Sequence, residues 1–210
     1  MSPASNPSRL LSASSRSSPI VCPSFKVMDQ VALAVELEGQ GRSISHLEVG
    51  QPLMPAPPQV LAAAKSALDS DRLGYTHALG IVPLREAIAR SYQRRYKGVP
   101  AVDPDDVVVV TGSSAGFLLA FTALFDGGDA VAVPQTCYPC YRNILGALAV
   151  ETVSLPLNDE YKITGKELRA AVESRAERGL PPLKGLIISS PGNPTGATLK
   201  EEEVRRRRAG

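Results

Sequence analysis

Three short segments of this chain carry residue types that could hold a flat, anionic ligand at a few fixed points. Thr111-Gly112-Ser113-Ser114-Ala115-Gly116 sets a glycine and two hydroxyls in front of an apolar run. Glycine lets a backbone come close to a ligand, and the free N–H groups of a helix opening there favour an anion such as phosphate. The same serines also read as an ordinary helix N-cap. In Pro134-Gln135-Thr136-Cys137-Tyr138-Pro139-Cys140-Tyr141, an aromatic held by prolines could stack on a planar heteroaromatic ring. The alternative is a tyrosine that caps the core. In Ser189-Ser190-Pro191-Gly192-Asn193-Pro194-Thr195-Gly196, a side-chain amide is fixed on a stiff turn. Being donor and acceptor both, it could donate to a phenolate oxygen. An Asn-Pro turn can also be free of function.

Each segment follows an apolar run that should position it. Val107 to Thr111 contains four valines with no polar alternation, which predicts a parallel strand covered on both faces. Phe117, Leu118, Leu119, Phe121, Leu124 and Phe125 predict a helix apolar nearly all round, as inside a larger body. Gly127-Gly128-Asp129 turns the chain into a second buried strand, Ala130 to Val133. Tyr141 to Ala149 reads as a crossover helix to a third strand, Glu151 to Leu155. Thr164 and Glu167 form a capping box for a helix ending near Arg178, and Leu186 to Ser189 is the fourth strand. This alternation predicts an α/β sheet with right-handed crossovers, with ligands at the carboxyl ends of its strands.

Upstream, Ser24 can cap a helix over Phe25 to Glu38 with a broad apolar face, ended by Gly39 and Gly41. An extended piece, Ile44 to Val49, leads to Gly50-Gln51-Pro52. A helix beginning at Pro57 or Pro58 should turn Leu61, Ala64 and Leu68 inward. Gly74-Tyr75-Thr76 opens a loop. A helix from Pro83 then ends at Lys97-Gly98, with Arg94, Arg95 and Lys97 as a solvated basic last turn that suits its dipole. The domain expectation is a Ser/Arg-rich arm over 1–18, an N-terminal segment over 19–60, a sheet domain over 61–204, and a basic tail over 205–210. In that tail, after Val204, the apolar rhythm gives way to Arg205 to Arg208.

Composition narrows the function classes. The chain has 210 residues, is 43% hydrophobic, and balances 23 basic against 21 acidic residues, so no broad preference for nucleic acid or anionic lipid is expected. No apolar stretch approaches the roughly 20 residues that cross a bilayer. Three cysteines fit a reducing compartment, and Cys137-x-x-Cys140 has no second ligand pair to make a zinc site. The first eighteen residues, serine-rich with Arg9 and Arg16, read as a flexible arm in preference to a transit peptide, which leaves the cytoplasm as the default location. No G-x-G-x-x-G follows any strand, so a dinucleotide site is disfavoured.

Taken together and in this order, the three segments resemble the large domain of class I/II, fold type I, pyridoxal-phosphate-dependent aminotransferases, over about Ser18 to Leu199. The most specific element is Pro191-Gly192-Asn193-Pro194-Thr195-Gly196. The resemblance implies a three-layer α/β/α large domain with an incomplete sheet, plus an N-terminal helical segment of the small domain. It implies pyridoxal 5'-phosphate as cofactor, with Gly112, Ser113 and Ser114 at its phosphate, Tyr138 on its ring and Asn193 on its 3'-oxygen. Gly50 would belong to the substrate-carboxylate loop, and Tyr75 would reach the neighbouring subunit's phosphate in a homodimer. His77 matches no family role.

The implied activity moves an amino group from an amino acid to a 2-oxo acid. In the family, the lysine that bonds the cofactor, an aspartate, a tyrosine and a C-terminal arginine all follow the asparagine turn. Lys184 and Lys200 read as solvated surface residues. The expectation is therefore a C-terminally truncated and inactive family member, whose reading frame shifts near the tail. Its Val107–Thr111 strand would lack neighbours, and its open edge at Leu186 to Ser189 would lower soluble yield. A carbon-sulfur lyase of the same fold, and a non-catalytic fragment binding a partner subunit or the cofactor, are the alternatives.

Overall fold

The computed structural model describes residues 26–70 and 74–208, with the last four as backbone alone. The Ser24 cap and the 1–18 arm lie outside the described residues. In chain order the elements are α1 (Lys26–Gly39), α2 (Pro58–Ser70), α3 (Val82–Arg95), a short 3-10 turn (Pro104–Asp106), α4 (Ser113–Leu124), β1 (Ala130–Pro134), α5 (Cys140–Ala147), β2 (Glu151–Leu155), α6 (Gly165–Glu177), β3 (Leu183–Leu186) and α7 (Glu201–Arg208). They divide into two compact units, Gln30–Ala115 and the rest of the described chain.

The second unit holds a three-stranded parallel sheet in the order β2-β1-β3, with Ala130 opposite both Glu151 and Leu183. Its central strand is apolar without alternation because both of its faces are covered. Val131 and Val133 pack with Phe121, Tyr141, Leu145 and Val150 on one side, while Ala132 packs with Leu155 and Ile163 on the other. Residues Ala130 to Val133 are wholly inaccessible to solvent. Gly185 on β3 is required by close approach, since a Cβ there would sit 2.8 Å from the Phe125 ring.

α6 is anchored at both ends. The Thr164 and Glu167 side chains close the predicted capping box, and Arg175 near the other end forms a bidentate pair with Glu151 at 2.7 and 2.9 Å. The Arg175 guanidinium holds the Glu151 carboxyl below its ordinary range.

In the Gln30–Ala115 unit, the buried Arg85 side chain donates to Pro104 O at 3.0 Å and Asp105 Oδ1 at 2.9 Å, tying α3 to the 3-10 turn. His46 bridges Glu38 at 2.8 Å and Glu48 at 2.6 Å. Gly80, at φ +100°, leaves room for Val109, whose Cγ2 would lie 2.6 Å from a Cβ at that position.

Several sequence expectations are corrected. Val107 to Thr111 is not a strand covered on both faces, and it lacks neighbours as expected: Val109 N–H donates to Leu79 O, but no ladder forms, and Val108 is half exposed. A valine run supplies strand propensity but not the neighbouring backbone that a strand needs. Ile44 to Val49, expected only as an extended piece, joins no ladder among the described residues. The predicted inner face of α2 is uncovered, with Leu61 and Leu68 exposed, and only Ala34 of α1 is buried. On α4, Leu118, Leu119 and Leu124 are exposed, so one face of the all-apolar helix is left without cover. The fourth strand pairs over Leu183 to Leu186, earlier than its apolar run suggests: Leu183 is in register with Ala130, and the register shifts at the exposed Lys184. At the start of α7, Lys200 N–H donates to the Glu203 carboxylate at 2.6 Å.

Candidate functional site

Two loops leave the sheet at its carboxyl edge, one after β1 and one after β3. Pro134 has no N–H, so the chain continues from β1 through Gln135, whose N–H still reaches Leu155 O at 2.7 Å. It then passes Thr136 and Cys137 to the half-buried Tyr138, and enters α5 at Cys140. The Tyr138 ring meets Tyr141 edge-on at 5.6 Å, and Tyr141 meets Phe117 edge-on at 4.8 Å. The loop's aromatic is thereby seated on the core. Burial pushes the Tyr141 hydroxyl up, with Ser189 as a hydrogen-bonding neighbour pulling the other way.

After β3, Ile187 N–H still donates to Ala132 O at 2.9 Å, and then the chain closes on itself. Gly192 N–H donates to Ala197 O at 2.8 Å, Gly196 N–H to Gly192 O at 2.7 Å, Ser189 Oγ to Pro191 O at 2.8 Å, and Leu199 N–H to Ser190 Oγ at 2.9 Å. Both glycines are needed: a Cβ at Gly192 would lie 2.8 Å from Thr195 Oγ1, and Gly196 sits at φ +72°. The turn consumes its own polar groups and leaves one outside. Asn193 is exposed, and its side chain has no hydrogen-bond partner among the described residues.

Between the two loops lies a cleft of about 40 Å³, lined by Thr136, Cys137 and Tyr141 on one side and Ser189, Gly192 and Asn193 on the other. Tyr138 reaches it through Tyr141 and is not itself a wall. Sequence reasoning missed the outer wall, Tyr161 and Lys162. Asn158 Oδ1 accepts from the backbone of Glu160 and Lys162, and this turn holds Tyr161 at φ +58°. Lys162 Nζ is paired with Glu160 at 2.8 Å and Glu203 at 3.3 Å, and the Glu160 bond keeps it firmly an ammonium. The signal for that wall was the turn-forming Asn158-Asp159, which sequence periodicity does not weigh. Burial pushes the Cys137 thiol up, opposed by Arg142. Cys137 and Cys140 form no disulfide, and the described residues contain no cluster able to hold a metal.

The remaining expected residues belong to the Gln30–Ala115 unit. Gly112 sits at φ +88°, Ser113 opens α4 and is exposed, and Ser114 is half-buried. Gly50 is exposed on irregular chain, and Tyr75 is fully exposed. His77 Nδ1 accepts from Leu79 N–H at 3.3 Å.

Residues 42–206 match the aminotransferase class I and II family. The chain belongs to that family. Among curated aminotransferases, it is 47% identical over 182 residues to the valine–pyruvate aminotransferase of Mycobacterium tuberculosis, covering 87% of this chain and 45% of that one. It is 34% identical to the (5-formylfuran-3-yl)methyl phosphate transaminase of Methanocaldococcus jannaschii, covering 85% of this chain and 44% of that one. The crystal structure of an aminotransferase from Mycobacterium tuberculosis superposes with a TM-score of 0.81 at 44% identity, covering 92% of this chain and 48% of that one. The chain thus spans a little under half the length of the aminotransferases it matches, and its fold is that of fold type I, with an incomplete parallel sheet. Among the described residues, no helix is long and apolar enough to cross a membrane.

Proposed function

We propose that this chain supplies ring- and phosphate-binding elements of an aminotransferase that moves an amino group from an amino acid to a 2-oxo acid with pyridoxal phosphate. The observation that carries this reading is the closed turn after β3, which spends its internal hydrogen bonds on itself and presents the Asn193 amide, unpartnered, at the cleft rim. An exposed amide on a rigid support is suited to donate to a phenolate oxygen without reorganising.

The residues present fit such a cofactor piece by piece. Gly112 at φ +88°, followed by two serines at the opening of a twelve-residue helix, suits a phosphate. Tyr138, seated on Tyr141, offers an aromatic face for a pyridine ring. When bound, the cofactor supplies an electron sink for the amino acid's α-carbon. The chain's own part is to fix the phosphate through Gly112, Ser113 and Ser114, to limit ring tilt through Tyr138, and to hold the ring oxygen through Asn193. Gly50 would receive the substrate carboxylate, and Tyr75, fully exposed, would serve the partner subunit's site in a homodimer. Residues 19–60 would then belong to the small domain and 61–204 to the cofactor-binding domain. Valine and pyruvate, the substrates in the name of the 47%-identical relative, are the first pair to test.

A second reading is favoured by Lys162, the lysine that lines the cleft. Its ammonium is paired with two carboxylates, which suits a chain that holds the cofactor without a covalent bond. One experiment separates the two: pyridoxal phosphate is added to the chain, the mixture is reduced with borohydride, and labelled lysines are mapped. One stoichiometric internal lysine supports catalysis by the chain itself, the stronger form of the first reading. Saturable binding that leaves no lysine labelled supports the second, and scattered surface labelling without saturable binding rejects both.

A further inference from the structure

We propose that Arg142 is a positioning residue, whose guanidinium clasps the loop after β1 and so places Tyr138 and Cys137 beside the cleft. Arg142 lies in the first turn of α5, seven residues after Gln135 in sequence, yet its Nη2 donates to Pro134 O at 2.8 Å and Gln135 O at 2.9 Å. Its Nη1 donates to Ser154 Oγ on β2 at 2.5 Å. The loop therefore leaves β1 and returns to its point of departure through one side chain. Residues 136–141 form a ring, and Arg142 is its fastening.

Three physical points separate this from an incidental contact. The Pro134 and Gln135 carbonyls stand where the ladder runs out, and carbonyls at such an end need a donor. The planar guanidinium has donors on two nitrogens and meets acceptors from two strands at once, which a lysine ammonium cannot reproduce. The placement is also electrostatically unfavourable by itself, because a cation in the first turn of a helix faces the positive end of its dipole. Among the described residues Arg142 forms no ion pair, so carbonyl and hydroxyl lone pairs carry the compensation. Arg142 also faces Cys137, where it opposes the upward push of burial on the thiol.

The inference that Tyr138 is placed for a cofactor rests on the reading above, whereas the clasp itself does not, and the test keeps the two apart. Full-length chains carrying Arg142→Met and Arg142→Lys are compared with the unchanged chain. The first readout is the pH profile of Cys137 alkylation by iodoacetamide, mapped by mass spectrometry, together with backbone amide shifts of Gln135 to Tyr138. The second is the dissociation constant of pyridoxal phosphate.

The expected result for Arg142→Met is an alkylation profile moved to higher pH, shifted loop amides, and cofactor affinity weakened about tenfold, the size of one lost charge-assisted hydrogen bond. Arg142→Lys should restore the Cys137 profile, since it keeps the charge, but not the amide shifts, since it loses the fork. Should Arg142→Met fail to fold, this lysine contrast carries the test alone. If the amides and the Cys137 profile are unchanged in a folded variant, the clasp is refuted. If both move but affinity does not, the clasp stands and its link to Tyr138 is refuted. If the unchanged chain binds no pyridoxal phosphate, the cofactor reading fails while the first readout still decides the clasp.

Discussion

Two valine-rich runs in this chain meet opposite fates. Ala130 to Val133 is inaccessible to solvent in the middle of the sheet, while Val107 to Thr111, with more valines, forms no strand and leaves Val108 half exposed. Composition favours the second run, so intrinsic preference is not what separates them. β1 has a parallel ladder on each side and side chains from three helices over its two faces. The other run is offered a single bond from outside itself at its centre, Val109 N–H to Leu79 O. β propensity describes fit to a half-built surface, and without that surface the preference goes unused.

The contrast can be broken most forcefully by truncating one valine from each run. Val131→Ala removes two methyl groups from a fully enclosed position and should cost roughly 2–3 kcal/mol of unfolding free energy. Val108→Ala, at a half-exposed position, should cost less than about 0.5 kcal/mol. Chemical denaturation of both variants checks this, and equal costs would mean that Val107 to Thr111 is covered in solution.

Between these extremes lies Gly80→Ala. The new Cβ would meet Val109 at 2.6 Å in a backbone at φ +100°, so the cost should be about 1–2 kcal/mol, confined to amides of the Gln30–Ala115 unit. Native-state hydrogen exchange resolves that locality. In the unchanged chain, the same measurement should find Val131 to Val133 among the slowest amides and Val108 among the fast ones.

The smallest effect concerns His46. Both ring nitrogens face carboxylates, which requires the doubly protonated ring, and the Glu38 and Glu48 hydrogen bonds raise its pKa from 6.5 to about 9. Because the folded value lies above the ordinary one, the clamp's contribution is complete below about pH 6.5 and is lost as pH rises through about 9. His46→Gln should abolish that slope. Imidazole NMR is simple in a chain with two histidines, and a His46 midpoint near 6.5 would dispose of the clamp.

Much of this was legible in the sequence because it is local. The Thr164 and Glu167 capping box, the glycines closing the Asn193 turn, and the β1 and β2 boundaries all depend on neighbours a few residues away. What was not legible depends on distant partners. No local pattern says that Leu61 and Leu68 of α2 lack cover, and the lack of neighbours at Val107 to Thr111 was legible through the family resemblance and not through the run itself. At the site, Asn193 announced itself through the turn chemistry around it. Arg142, Tyr161 and Lys162 did not, because a lone cation in a first helical turn and a Tyr-Lys pair in a loop look like solvated surface until the sheet brings them together.

At the cleft rim, the Asn193 amide is proposed to be held out by its turn to meet a ring oxygen. The most direct measurement is a cycle of four dissociation constants: the unchanged chain and Asn193→Ala, each with pyridoxal phosphate and with its 3-deoxy analogue. Asn193→Ala should weaken pyridoxal phosphate about tenfold and the deoxy analogue hardly at all, with the melting curve unmoved. Equal losses for both ligands, or none for either, would contradict it.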